Sequence, residues 1–166
     1  EKFISMDKLF LKVMNKTLFF LLFLFLPISL IAESTVKASD SLVWDSQNKS
    51  YTATGNVEFT NNRFIAFSDK MIAKYIEQNN KEVFTVVELF ENVKIEYNDE
   101  IFKGDYAIYT KKNNIIRLIG NVSIKSPTRL LTGYELIADI DNNKRTLNSE
   151  NDDALVEVLL ENNADN

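Results

Sequence analysis

A short phrase recurs three times in this chain: Gly55-Asn56-Val57-Glu58-Phe59, Glu91-Asn92-Val93-Lys94-Ile95 and Gly120-Asn121-Val122-Ser123-Ile124. A copied supersecondary unit cannot bury its apolar face alone and must stack on its neighbours, so this repeat restricts the fold more than any other feature. Around each copy apolar and polar residues alternate. Tyr51, Ala53, Gly55, Val57 and Phe59 share one parity against Thr52, Thr54, Asn56, Glu58 and Thr60, and the stretches from Val87 to Tyr97 and Ile116 to Ile124 do the same. A period of two predicts strands with one apolar and one wet face. Phe90 and Ile119 are apolar exceptions on the wet parity.

A second phrase lies between these strands: Ser39-Asp40, Ser68-Asp69, Gly104-Asp105 and, in a last copy that lacks the acid, Gly133-Tyr134. Asp40 precedes Gly55 by 15 residues and Asp105 precedes Gly120 by 15, whereas Asp69 precedes Glu91 by 22. The seven extra residues fall around the polar stretch Glu77 to Glu82 and are expected in a loop. Turn residues sit where this register needs them, at Gln47-Asn48, Asn61-Asn62, Asn79-Asn80, Asn98-Asp99, Asn113-Asn114, Ser126-Pro127 and Asn142-Asn143. Residues 38–147 therefore read as strands joined by tight turns, with no apolar stripe of helical period. The apolar pairs Leu42-Val43, Met71-Ile72, Ala107-Ile108 and Leu136-Ile137 break the alternation. Either a bulge near the Asp flips the parity or these strands are buried on both faces. Met71, Tyr109 and Leu136 are favoured as inward.

The two ends differ from this middle. Lys12 and Lys16 precede an apolar run from Leu18, and the chain turns polar at Glu33. A basic start, about 13 apolar residues and a small residue at Ala32 read as a secretory signal peptide over residues 1–32, cleaved after Ala32; the run is short for a span of about 20 residues. A β-domain over 33–147 follows, then an acidic tail, 148–166, read as mobile with one short apolar element from Ala154 to Leu160, as strand rather than helix. Four of the chain's 19 basic and two of its 24 acidic residues precede Glu33, which leaves a net charge of −7. Nucleic acid demands a basic footprint and is excluded as a partner.

There is no Cys and no His. Disulfides, the common nucleophile–base pairs and most transition-metal sites go with them, so neither catalysis nor a cofactor or metal is expected. Asp69 and Asp105 could form an acid/base pair, but both hold one place in a repeat, where an Asp bonds neighbouring backbone N–H groups at a bend. The structural role is the stronger reading. Trp44 reads as core or rim packing before a ligand platform.

The Gly-Asn-Val phrases, the small-Asp phrases between them and the export signal resemble the LptA/OstA-like family, periplasmic proteins of lipopolysaccharide transport in Gram-negative bacteria. The resemblance covers about residues 36–147; Glu91 in place of Gly and Tyr134 in place of Asp depart from the pattern. It implies an all-β, open β-jelly roll, a V-shaped stack of antiparallel strands whose groove takes the acyl chains of lipid A. It implies partners of like fold, anchored in the inner membrane and seated at the outer membrane. From the residues alone the reading that comes first is two layers closed into a packed sandwich core, and only the resemblance reverses that order. On the groove reading the lining is Val57, Phe59, Met71, Val93, Ile95, Tyr109, Val122, Ile124 and Leu136. A membrane-anchored member of the same pathway, or a ligand-free structural β-solenoid, are the alternatives. Unpaired first and last strands, near Val36 to Trp44 and Leu136 to Ile140, recruit further strands, so head-to-tail self-association is expected.

Overall fold

The computed structural model describes residues 34–160; the expected leader and the last residues of the tail lie outside them. The strands are β1 Ser34–Lys37, β2 Ser41–Asp45, β3 Ser50–Asn61, β4 Ile65–Gln78, β5 Lys81–Tyr97, β6 Glu100–Thr110, β7 Ile115–Ser126, β8 Arg129–Asp139, β9 Lys144–Asn148 and β10 Glu157–Leu160, with one 3-10 turn at Lys111–Asn113. Every pairing is antiparallel and follows chain order from β3 to β8. At one edge β1 and β2 both pair with β3; at the other β9 and β10 both pair with β8. The sheet is open, because its first and last strands are not partners.

Each long strand turns a corner halfway along. On β3, β5 and β7 the corner is the repeated phrase. Gly55 and Asn56 have φ of 80° and 42°, Glu91 and Asn92 63° and 50°, and Gly120 and Asn121 78° and 47°. Two consecutive left-handed residues cannot continue a ladder, and Gly and Asn adopt that conformation at least cost. The pairing registers jump at these points, between Thr54 and Val57, Phe90 and Val93, and Ile119 and Val122. On the strands that carry the Asp, the buried parity flips across the corner: Ser68 to Met71 on β4 and Gly104 to Ala107 on β6. The bulge alternative is therefore the correct one, and it puts Met71, Tyr109 and Leu136 inward.

The corners divide the sheet into two layers. The first holds β2, residues 50–54, 70–78, 81–90, 106–110, 115–119 and 135–139, then β9; the second holds β1, residues 57–61, 65–68, 93–97, 100–104, 122–126 and 129–133, then β10. Their facing sides share one core, from Ala53, Val57 and Phe59 to Leu136, Ala138 and Ile140.

Two expectations are corrected. The seven inserted residues do not form a loop: β4 and β5 run on, past a one-residue register shift at Thr85, paired through Gln78 and Lys81 to a tight turn at Asn79 and Asn80, with φ of 52° and 58°. Two Asn in left-handed conformation match the strand twist, so a longer hairpin closes as easily as a short one. The Asp residues also bond differently. Asp69 accepts from Asn92 Nδ2 at 2.7 Å and Asp105 from Asn121 Nδ2 at 2.7 Å, so the partner is the Asn of the facing corner, not a backbone N–H. In the last hairpin, where Tyr134 replaces Asp, Asn148 donates instead to Glu135 at 3.0 Å. The apolar element of the tail is β10.

Candidate functional site

The interior between the layers is the candidate site. All nine residues assigned to it on sequence lie in its core: Val57, Phe59, Met71, Val93, Ile95, Val122, Ile124 and Leu136 are at most 2% exposed, and Tyr109 is 7% exposed. They come from both layers and face one another. The layers touch directly, Phe59 of the second against Phe84 of the first with ring centroids 6.1 Å apart, and Phe64 against Tyr109 at 5.0 Å. In this state the interior is filled by its own side chains. Its shape is that of the packed alternative, on a sheet that stays open at its edges.

A run of rings leads from the outside into that core at the N-terminal edge. Trp44 is 59% exposed. It stacks on Tyr51 at 6.4 Å and donates Nε1–H to the Tyr75 hydroxyl at 2.8 Å. Tyr51 contacts Phe84, and Phe84 contacts Phe59. Trp44 is thus rim packing. Leu42 and Trp44 pair with Ala53 and Tyr51, on the inward parity, so the exposed apolar side chains of β2 mark the mouth of the interior.

At the opposite edge the interior ends in charge. Arg145 on β9 is the register partner of buried Ala138, so it shares the inner face of the first layer. Its guanidinium reaches across to the second layer and lies over Tyr97 at 4.9 Å and Phe102 at 5.4 Å. Nε donates to one oxygen of Glu100 at 3.1 Å, and a terminal nitrogen forms an ion pair with the same oxygen at 3.0 Å. Arg129 donates to the other oxygen of Glu100 at 3.2 Å. The side chains of Arg145 and Glu100 are 13% and 15% exposed. Along the free rims opposite the corners, Arg63 of the β3–β4 turn pairs with Asp141 of the β8–β9 turn at 2.8 Å, and the Tyr97 hydroxyl donates to the Ile140 carbonyl at 3.5 Å.

Sequence reasoning missed Phe64, Phe84 and Phe102, and the cluster of Glu100, Arg129 and Arg145. Phe102 was within reach, because it shares parity with Gly104 ahead of the corner. The cluster gave no signal: Glu100 and Arg145 stand 45 residues apart and meet only through the fold.

The polar groups here are not arranged for proton transfer. The Glu82 carboxylate, accepting the Tyr51 hydroxyl proton, pushes that phenol up to about 12. Burial, with a bond to Glu88, pushes Tyr106 up to about 12. Both stay hydrogen-bond donors at any physiological pH. Among the described residues no group of three or more acidic side chains could hold a metal ion.

An antiparallel sheet folded back on itself by repeated two-residue corners, apolar within and unpaired along both edges, defines a class: β-stacks that hold an apolar interior between two layers. The family profile described as LptA/(LptD N-terminal domain) LPS transport protein matches residues 37–144, and the chain belongs to that family. Among solved structures it is similar to LptH from Pseudomonas aeruginosa, described as the LptA homologous periplasmic component of the conserved lipopolysaccharide transport device. That likeness has a TM-score of 0.67 at 14% identity over 78% of this chain and 95% of that one, and it bears on the fold. No curated protein sequence matched the chain.

Proposed function

We propose that this protein is a periplasmic lipopolysaccharide carrier that takes acyl chains between its two layers and bridges the inner and outer membranes by joining further copies and like-folded partners edge to edge. One observation carries the reading. In a chain of this transport family, the facing sides of both layers present a continuous apolar surface from β3 to β8. Acyl chains entering between the layers replace one apolar partner by another, so little apolar area returns to water as the layers part. Removal of the leader after Ala32 puts the mature chain, from Glu33, in the periplasm. The family is one of transport and binding, and no catalytic step is assigned.

Photo-crosslinking tests this. A photoreactive side chain at Phe59, Ile95 or Ile124 captures lipopolysaccharide, and one at Glu58, Lys94 or Lys125, on the wet parity, does not. Each variant's melting curve checks that it is folded. Equal labelling of both parities rejects the interior as the binding site.

Head-to-tail assembly is read from the edges. β2 exposes Leu42, Val43 and Trp44, and the β10 segment exposes Leu155, Val158, Leu159 and Leu160. Free backbone groups beside apolar side chains favour strand addition, and a heterologous joint propagates instead of closing. Sedimentation over a concentration series, with added salt to screen the acidic repulsion of the tail, shows growing filaments. A strict monomer under all these conditions rejects self-assembly.

A further inference from the structure

We propose that Arg145 and Arg129 form a binding site for the phosphate of an acyl-chain amphiphile, and that Glu100 holds this site until the headgroup displaces it. The inference rests on the reading that acyl chains enter between the layers, and adds where the charged end of such a molecule is held.

Four observations point there. The cluster stands at the end of the interior, not on the outer surface: Arg145 springs from the inner face of the first layer and lies on Tyr97 and Phe102 of the second. It is shielded, with Arg145 and Glu100 both more than four-fifths covered. It carries two guanidinium groups on one carboxylate, so a positive charge is left over where low dielectric makes that charge count. Finally, the pair spans the layers, Arg145 on one and Glu100 with Arg129 on the other.

The chemistry selects the ligand. A guanidinium presents a planar fork of donors that fits two oxygens of a phosphate as well as it fits a carboxylate. A phosphomonoester carries more charge than a single carboxylate, so it competes with Glu100 for the two arginines and neutralises the excess that Glu100 leaves. Arg145 also donates to the Lys144 carbonyl at 3.3 Å and to Asn143 Oδ1 at 3.3 Å, contacts on its own strand and turn that hold the side chain when Glu100 withdraws. Arg129 has only Glu100 as an ion-pair partner among the described residues and is half exposed, so it can swing to meet a headgroup at the mouth. Because Glu100 ties the layers together, its displacement also removes a cross-layer tie. Headgroup capture and the parting that admits acyl chains then become one event.

Calorimetric titration of the full mature chain with lipopolysaccharide, with the same material after phosphatase treatment, and with inorganic phosphate alone tests this. The wild type binds the phosphorylated form about tenfold more tightly than the dephosphorylated one, the scale of one charge-assisted hydrogen bond. Glu100→Gln, which removes the competing charge, widens that ratio. Arg129→Gln, at a half-exposed position that folding tolerates, narrows it toward one without changing affinity for the dephosphorylated form. The Nε–H resonance of Arg145 shifts on adding the phosphorylated form and stays in place with the dephosphorylated one. An equal shift with inorganic phosphate alone means that the site takes free phosphate, and rejects the headgroup assignment. If both lipid forms bind equally in the wild type and in Arg129→Gln, the phosphate site is rejected and the acyl-chain reading stands. If neither form binds, the acyl-chain reading itself fails.

Discussion

The chain turns the same corner at both edges of the sheet, and turns it differently. At the N-terminal edge three residues, Ala38 to Asp40, carry it from β1 in the second layer to β2 in the first. The turn is held on its neighbour: Ser39 and Asp40 donate backbone N–H groups to Gly55 and Thr54 carbonyls at 2.7 and 3.1 Å, and the Asp40 carboxyl packs on Gly55. At the C-terminal edge β9 stops at Asn148 and the chain makes an eight-residue detour before β10 regains the second layer. Recesses of about 460 and 560 Å3 are left against that segment, one lined by Tyr134, Glu150 and Leu155, the other by Arg129, Leu159 and Leu160. The repeat itself differs there. Where the corner Asn faces the Asp of the neighbouring strand, the strand passes straight through; in the last copy Tyr134 stands in place of the Asp, Asn148 is held by Glu135 instead, and the chain leaves the sheet after it. The first edge is a continuation of the stack, and the second is an attachment to it.

The sharpest way to break this contrast is to spoil the tight corner. A Cβ on Gly55 would sit 2.2 Å from Asp40 Cγ, and the residue's φ of 80° forbids a branched side chain. Gly55→Val is expected to lower stability by about 3 kcal/mol, from left-handed strain and overpacking together. Thermal unfolding measures it, and amide exchange shows β1 and β2 losing protection first. An unchanged melting temperature refutes the view that this corner is rigid. The next effect belongs to the other edge. Arg145→Ala leaves Glu100 covered with one partner instead of two, and is expected to cost about 2 kcal/mol, less than a fully buried pair because Arg129 remains. The protection lost should be that of β9, with β1 and β2 unaffected.

Much of this architecture was legible because it is periodic. Gly-Asn recurs because the corners of β3, β5 and β7 are made by two left-handed residues, and the inner parity of those strands passes through the corner unchanged, so Val57, Phe59, Val93, Ile95, Val122 and Ile124 could be read directly. On β4, β6 and β8 the parity flips, and apolar pairs such as Met71-Ile72 blurred the face until the bulge was seen. Contacts between layers left no trace in local pattern. Phe84 meets Phe59, and Arg145 meets Glu100, only because the sheet folds over.

Acid should separate the edges further. Each has a carboxylate that holds the outer strand. Glu58 is lowered by its hydrogen bond to Lys37 of β1, and Glu135 by bonds first to Asn148 of β9 and then to Arg117. Both fall below their ordinary value of 4.5, so the unfolded chain takes up protons first. Their contribution is complete above about pH 4.5 and is lost as the pH falls through the lowered folded values. The Lys37–Glu58 pair is exposed and adds little, whereas the Glu135 side chain is 17% exposed and has two partners. Amide exchange from pH 6 to pH 3, corrected for the intrinsic rate, should therefore rise more in β9 than in β1. Equal acceleration of the two strands contradicts this.

The smallest effect tests what makes a corner tight at all. Gly55, Glu91 and Gly120 occupy equivalent places with φ of 80°, 63° and 78°, and only the middle one carries a side chain. A non-glycine residue in this region costs about 1–2 kcal/mol. Glu91 also places a second carboxylate in the corner that already holds Asp69. Replacing it with glycine relieves the strain but gives the unfolded chain more freedom to lose, about 0.5–1 kcal/mol. The balance favours the variant: Glu91→Gly should raise stability by about 0.5 kcal/mol, read as a higher denaturant midpoint at unchanged slope. Gly120→Glu makes the reverse exchange in a tighter place, since a Cβ there would lie 2.5 Å from Asp105 Oδ2, and it should lose more than the first variant gains. If Glu91→Gly is instead destabilising, the left-handed pair is not what limits the corner. The Asn–Asp bond, kept by both variants, would then be its main support, and Asn92→Ala would be the more damaging change.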